Sequence, residues 1–179
     1  MSKSSKQFLS GVKVEVPEDR YKVDVELHDR FQVFSSELLK LALAGIAVFG
    51  LFLTLLGDAS TDNEIKKALN SCSFKWLSIF SLVSFALSVG LALVHRFLAS
   101  DGLYHHFRAI KSLILLEERP ENPDFNFEEY EKSIRKNIKK DEEIRNRKFE
   151  SSESALKASA ALLAVGAVFL GAVFIRVVL

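Results

Sequence analysis

Few residues in this sequence have the chemistry of a reactive site, and two histidines are the first to consider. His105 and His106 are adjacent. Successive residues on a helix point about 100° apart, so the pair cannot readily share one metal ion and reads as a contact for a headgroup or a partner. Arg96, Arg108 and Lys111 lie in the same stretch and make it a cationic set that fits an anionic ligand or a protein. His95, beside Arg96, reads as an interface anchor, and His28 as part of a solvated face. No GxSxG, HExxH, Walker loop or Gly-rich dinucleotide fingerprint occurs. One cysteine, Cys72, excludes an intrachain disulfide framework and a Cys-rich metal site. No catalytic residue, metal or cofactor is assigned. A lipid-modifying enzyme would lack its nucleophile or metal set, and the chain reads as a non-enzyme.

The hydroxyls are more regular. Ser78, Ser81, Ser84 and Ser88, extended by Ala92 and His95, fall within about 120° of arc on a helix. Hydroxyls gain nothing from facing lipid. Two roles fit them: close packing against another helix with weak hydrogen bonds, or the lining of a water-filled path in an oligomer. A second pattern consists of small residues. Ala160, Ala164, Ala167 and Gly171 share about 60° of arc, and Ala47, Gly50 and Thr54 form a shorter counterpart. Both are small-xxx-small faces suited to helix packing, within one chain or between chains.

The elements that must position these residues are apolar helices. Three stretches carry no charge: Leu41–Gly57 with 17 residues, Trp76–His95 with 20 and Ala158–Ile175 with 18. A helix crosses the hydrocarbon core with roughly 17 to 25 mostly apolar residues. No apolar signal-peptide core precedes the first, because Lys13 and Glu15 interrupt Phe8–Val16. The first span is therefore expected to act as its own insertion signal. Basic residues mark the cytoplasmic side. Seven lie in the segment up to Lys40 and thirteen between Arg96 and Lys157, against three between Asp58 and Lys75. The expected arrangement is a multi-pass protein of the plasma (inner) membrane, with its N-terminus cytoplasmic and its C-terminus external.

The regions between the spans are patterned too. Leu103, Phe107, Ile110 and Ile114 form one helical stripe, and Phe127, Tyr130, Ile134 and Ile138 another. The segment Arg119–Asp124, with two prolines, breaks the chain between them. Glu128–Lys132 and Glu131–Arg135 are favourable i,i+4 pairs, and Lys136–Lys140 is unfavourable. Helices two and three should thus extend into an antiparallel cytoplasmic hairpin of roughly 25 to 35 Å at 1.5 Å per residue, with Ser100-Asp101-Gly102 as a candidate kink. The N-terminal part admits a helix from about Pro17, with Leu27, Phe31, Phe34 and Leu38 as a stripe. Alternating Val12, Val14, Val16 and Tyr21, Val23, Val25, Leu27 also admit a hairpin of strands. Residues 1–10 should be loose.

The fold class is therefore all-α, a polytopic membrane protein with three transmembrane helices and a cytoplasmic helical hairpin extending from helices two and three. Its divisions are an N-terminal cytoplasmic segment (1–37), transmembrane helix 1 (38–57), an external loop (58–75), transmembrane helix 2 (76–95), the hairpin (96–157) and transmembrane helix 3 (158–179). The 179 residues hold 24 Lys+Arg and 23 Asp+Glu, a net charge of +1. The hairpin region alone has 13 residues of each sign. That local neutrality argues against broad attraction to anionic lipid or duplex nucleic acid and for specific helix-to-helix or ligand contact. A cytoplasmic protein or an anionic nucleotide ligand, membrane lipids and further copies of the chain are the expected partners.

The paired spans Leu41–Gly57 and Trp76–His95, the short loop between them and the charged cytoplasmic helices resemble small helical membrane effectors of bacterial antiviral defence, the SMODS-and-SLOG-associating transmembrane class. The span Ala158–Ile175 is an addition to that class's two-span layout. The resemblance implies a membrane-damaging, death-inducing role under the control of a partner sensor or a nucleotide signal. Three thin spans cannot enclose a path alone, so the expected function is an oligomeric channel or membrane-disrupting effector gated through the cytoplasmic helices. The alternative is a non-conducting anchor or scaffold for a cytoplasmic protein.

Overall fold

A computed structural model describes residues 17, 21–58, 71–117 and 127–178. They form three helices: α1 (Lys22–Asp58), α2 (Cys72–Glu117) and α3 (Phe127–Val178), of 37, 46 and 52 residues. The expectations for residues 1–16, for a helix start at Pro17, and for the breaks at 59–70 and 118–126 concern segments largely outside those described. Residues 22–27 are helical rather than a strand.

Local chemistry explains the ends. Ser71 caps α2: its Oγ accepts from Phe74 N at 3.2 Å, three residues into the helix, where backbone donors would otherwise lack partners. Glu128 and Glu129 in the first turn of α3 and Arg176 in its last complement the helix dipole. Gly102 does not break α2. A Cβ there would lie 3.1 Å from the Phe149 ring and 3.4 Å from Lys148 Cβ on α3, so the glycine serves close approach of two helices.

The chain forms two compact units, Met1–Arg30 with Leu98–Glu150 and Phe31–Phe97 with Ser151–Leu179. The first, the polar unit, has Tyr130, Ile134 and Ile138 as its core, with Leu115, Leu116 and Phe127 against them. Ala109, Ile110 and Ile114 are buried beside it in sequence. Tyr21 meets Phe107 edge to face at 5.2 Å. The start of α1 therefore joins α2 and α3, and the unit has three helical segments where the sequence suggested a two-helix hairpin.

The second, apolar unit is built on a repeat of seven. Ser35, Ala42, Phe49 and Leu56 on α1 are buried, as are Phe74, Ser81, Ser88 and His95 on α2 and Ser152, Ser159 and Val173 on α3. A strict seven-residue repeat suits helices that wind round each other with a left-handed twist. The expected stripe on α1 is displaced. Leu38 is buried, but Leu27, Phe31 and Phe34 are exposed. The side that packs is that of Ser35 and Ala42, whose small side chains let the helices close up.

All three helices are long and apolar enough to cross a membrane, and only 17%, 28% and 17% of their most apolar windows is buried. Leu41, Leu51, Leu55, Phe80, Leu87 and Val168 are among the outward side chains. Uncovered apolar surface on this scale exceeds what monomeric soluble proteins carry. Three apolar helices of this length are consistent with a multi-pass membrane protein.

Candidate functional site

The serine stripe lies on the seam between α2 and α3. Ser81 Oγ donates to Gly166 O at 3.0 Å. Ser88 Oγ donates to Ser159 O at 2.8 Å, and Ser159 Oγ to Ser88 O at 2.9 Å. One heptad further, His95 Nδ1 is 3.0 Å from Ser152 O and 2.7 Å from Ser152 Oγ, which lies 3.3 Å from His95 O. A carbonyl only accepts, so Nδ1 carries the proton, and Ser152 Oγ accepts from it while donating to His95 O. His95 Nε2 is then a buried acceptor with no partner among the described residues. Each step of seven along α2 thus meets a step of seven along an antiparallel α3. On the other side of α2, Ser35 Oγ donates to Ala92 O at 3.2 Å. Ser84 is buried, and Ser78 Oγ is buried without a partner among the described residues. The hydroxyls of Ser81 and Ser88 are therefore engaged inside one chain.

Phe85 interrupts this seam of small residues. Its ring is 2% exposed and lies between two glycines. A Cβ on Gly45 of α1 would come within 2.6 Å of the ring, and a Cβ on Gly166 of α3 within 3.0 Å. The first is closer than real Cβ atoms come and the second is tighter than most, so the two glycines shape a slot for one aromatic ring.

The small-residue faces are elsewhere. Ala47, Gly50 and Thr54 on α1 point outward, as do Ala164 and Ala167 on α3; Ala160 and Gly171 are half-buried. A Cβ on Gly50 or Gly171 would meet nothing within 4 Å. Thr54 Oγ1 donates to Gly50 O of its own helix at 3.0 Å, which hides its polarity. These residues make no part of the seam within the chain.

In the polar unit the paired histidines diverge, as adjacent helical residues must. His105 Nδ1 is 3.0 Å from Asp141 Oδ1 on α3, and both side chains are largely buried. Arg108 Nε lies 3.3 Å from Asp141 Oδ2 without the alignment of a hydrogen bond. His106 reaches α1 and α3 together. Its Nε2 is 2.8 Å from Asp24 Oδ2, and Arg145 Nη1 donates to its Nδ1 at 3.1 Å. An arginine cannot accept, so Nδ1 is bare, Nε2–H donates to Asp24, and the ring is the neutral tautomer. Lys111 is exposed. Nearby, Lys148 Nζ bonds Asp101 Oδ2 at 2.8 Å, and this hydrogen bond holds the Asp101 carboxyl below its ordinary range. Burial pushes the Tyr130 phenol up.

Arg96 is separate from this network. It lines an open cleft of about 320 Å³ with Gln32, Val33, Ser36, Glu37 and Lys40, all in the apolar unit. Arg96 Nε donates to Gln32 Oε1 at 2.9 Å, and Gln32 Nε2 donates back to Arg96 O at 3.4 Å. Arg96 Nη1 donates to Ser36 Oγ at 3.4 Å.

The five cationic candidates thus fall in four places: His105 and Arg108 at Asp141, His106 between Asp24 and Arg145, Lys111 in solvent, and Arg96 in the cleft. Asp141, Arg145, Ser152, Ser159, Gly45 and Gly166 were not anticipated. The heptad Phe74, Ser81, Ser88, His95 could have pointed to Ser152, Ser159 and Gly166, since a buried small residue needs a small partner every seventh place. Among the described residues no group of three or more His, Cys, Asp or Glu is placed to hold a metal ion. No family model, curated protein or solved structure matches the chain.

Proposed function

We propose that this chain is an oligomeric membrane protein that acts as a channel or membrane-disrupting effector, gated through its polar helices. In this reading the apolar parts of α1, α2 and α3 cross the plasma membrane. The polar unit is cytoplasmic and receives a protein or an anionic nucleotide, as the likeness to antiviral effectors implies. The carrying observation is the division of labour among small polar residues. Ser81 and Ser88 of α2 are used within the chain, while Ala47, Gly50, Ala164 and Ala167 face outward. Outward small-residue faces are the usual surface for helix association in lipid. Any conducting path is then formed where copies meet, and the serine stripe does not line it. Orientation rests on the basic residues, seven and thirteen against three.

The test is release of a trapped dye or ion from vesicles, together with the oligomeric state in nanodiscs. Replacing Ala164 and Ala167 by Leu should abolish assembly and leak together, whereas Ser81→Ala should leave both. A monomer at every protein-to-lipid ratio overturns the proposal.

A second reading, the non-conducting anchor for a cytoplasmic protein, is favoured by one observation: the outward side chains of the apolar unit include no free hydroxyl or charge between Leu41 and Leu56. An assembled oligomer that never leaks, and that co-purifies with a stoichiometric partner, selects this reading.

A further inference from the structure

From the cleft around Arg96 we infer a site for the phosphate of an anionic phospholipid headgroup, held between α1 and α2. The inference rests on the membrane reading above and adds a specific lipid to it. Lys40 directly precedes the first charge-free stretch, and Arg96 directly follows the second. In a bilayer both ammonium and guanidinium therefore sit at the same headgroup level, on the side that carries the excess of basic residues.

The cleft is already arranged for an anion. Gln32 brackets Arg96 from both sides, accepting from its Nε and donating to its carbonyl. Ser36 takes one further N–H. A guanidinium has five N–H donors in a planar fork, so three remain, and Arg96 has no carboxylate partner among the described residues. A planar fork matches two phosphate oxygens at once. Opposite it, Lys40 is paired with Glu37 at 2.7 Å, but both side chains are more than half exposed. Such a pair is weak and screened, so the lysine is available to the ligand. With Glu37 counted, the lining carries one net positive charge, which suits a single phosphodiester.

The surroundings point to a lipid rather than a free anion. Val33 lines the cleft and is 63% exposed, while Leu41 and Phe97, next in sequence to Lys40 and Arg96, are 57% and 69% exposed. These side chains offer an acyl chain a surface directly beside the charges. Basic pockets between helices at the cytoplasmic interface are a known form of headgroup recognition.

The experiment is lipid retention by the full chain. Protein from vesicles of phosphatidylglycerol and phosphatidylcholine in equal amounts is extracted gently and its bound lipid counted by native mass spectrometry. The wild-type chain should retain phosphatidylglycerol in preference. Arg96→Gln should reduce that preference about tenfold, the size expected for losing a charge-assisted hydrogen bond. Arg96→Lys, which keeps the charge and loses the fork, should fall between. Gln32→Leu, which leaves the arginine but frees it to swing, should weaken retention several-fold with helical content unchanged. Equal retention by wild type and Arg96→Gln, with both floating on vesicles, overturns the site alone. Failure of the wild-type chain to float with vesicles overturns the membrane reading and the site with it. Binding of inorganic phosphate in detergent that displaces no lipid shows a free-anion site and overturns the lipid assignment.

Discussion

In the apolar unit α2 and α3 are joined by hydroxyls on backbone carbonyls; in the polar unit the same two helices are joined by a carboxylate, histidines and arginines. Ser81, Ser88 and His95 are neutral, short or buried, and they bond groups that every residue possesses. Asp141, His105, Arg108 and Lys148 need particular partners at particular places. In the proposed arrangement the difference follows the medium. A charge facing lipid is costly, and the charge-free stretches keep Ser81 and Ser88 in the seam. In water, paired charges are tolerated, and a buried carboxylate between a histidine and an arginine can specify which faces meet.

The largest expected effect tests the apolar side. Phe85→Ala empties the slot between Gly45 and Gly166 and should cost about 3–5 kcal/mol, read as a fall in Tm in detergent. Gly45→Ala approaches the same ring from outside and should cost about 1–3 kcal/mol by overpacking. Unchanged melting for both would mean that the ring does not organise the seam.

Asp141→Leu should come next, at about 2 kcal/mol, because it leaves His105 and Arg108 without their acceptor. Amide hydrogen exchange should show lost protection around residues 101–110 and 138–148, with residues 81–92 and 152–166 little changed. Equal loss in both sets would erase the distinction between the units.

Ser88→Ala should cost only about 0.6 kcal/mol, the usual worth of such bonds between helices in lipid. A cost near that of Asp141→Leu would show the seam to be as selective as the charged network.

The smallest effect is electrostatic and at the surface. Asp101 has its folded pKa lowered by Lys148. Its contribution is present above the ordinary carboxylate value of 3.8 and is lost as pH falls through the lower folded value. Because the pair is partly solvated and screened, Asp101→Asn should move the acid transition only slightly, measured by circular dichroism.

Three helices long and apolar enough to cross a membrane were legible from the charge-free stretches, which need only composition and length. The stripes Ile110, Ile114 and Tyr130, Ile134, Ile138 were legible because aliphatic and aromatic residues recur at helical steps. On α1 the same rule misled. Phe31 and Phe34 are bulky and apolar, yet in that half of the helix the packed side is Ser35, Leu38 and Ala42, two of them small enough for close approach. The contacts of His105 with Asp141 and of His106 with Arg145 were half legible. Both histidines stood out, but their partners lie 36 and 39 residues away on α3, where charges are so frequent that none is distinguished before the helices are aligned.

The slot around Phe85 has a consequence for alignment. A seam that repeats every seven residues is nearly blind to sliding by seven. Shift α3 by one heptad, and Ser81 would find Ser159 O where Gly166 O had been, while Ser88 would find Ser152 O. Backbone carbonyls look alike, so the hydroxyls would be satisfied in either frame. Phe85 would not. A shift would present it with Ser159 or Val173 in place of Gly166, and sliding α1 would offer it Leu38 or Phe52 in place of Gly45. Each of these carries a side chain where the ring must go. Thus one aromatic residue serves as the index mark of an otherwise uniform scale, and the bundle counts its turns by the single place where two glycines coincide.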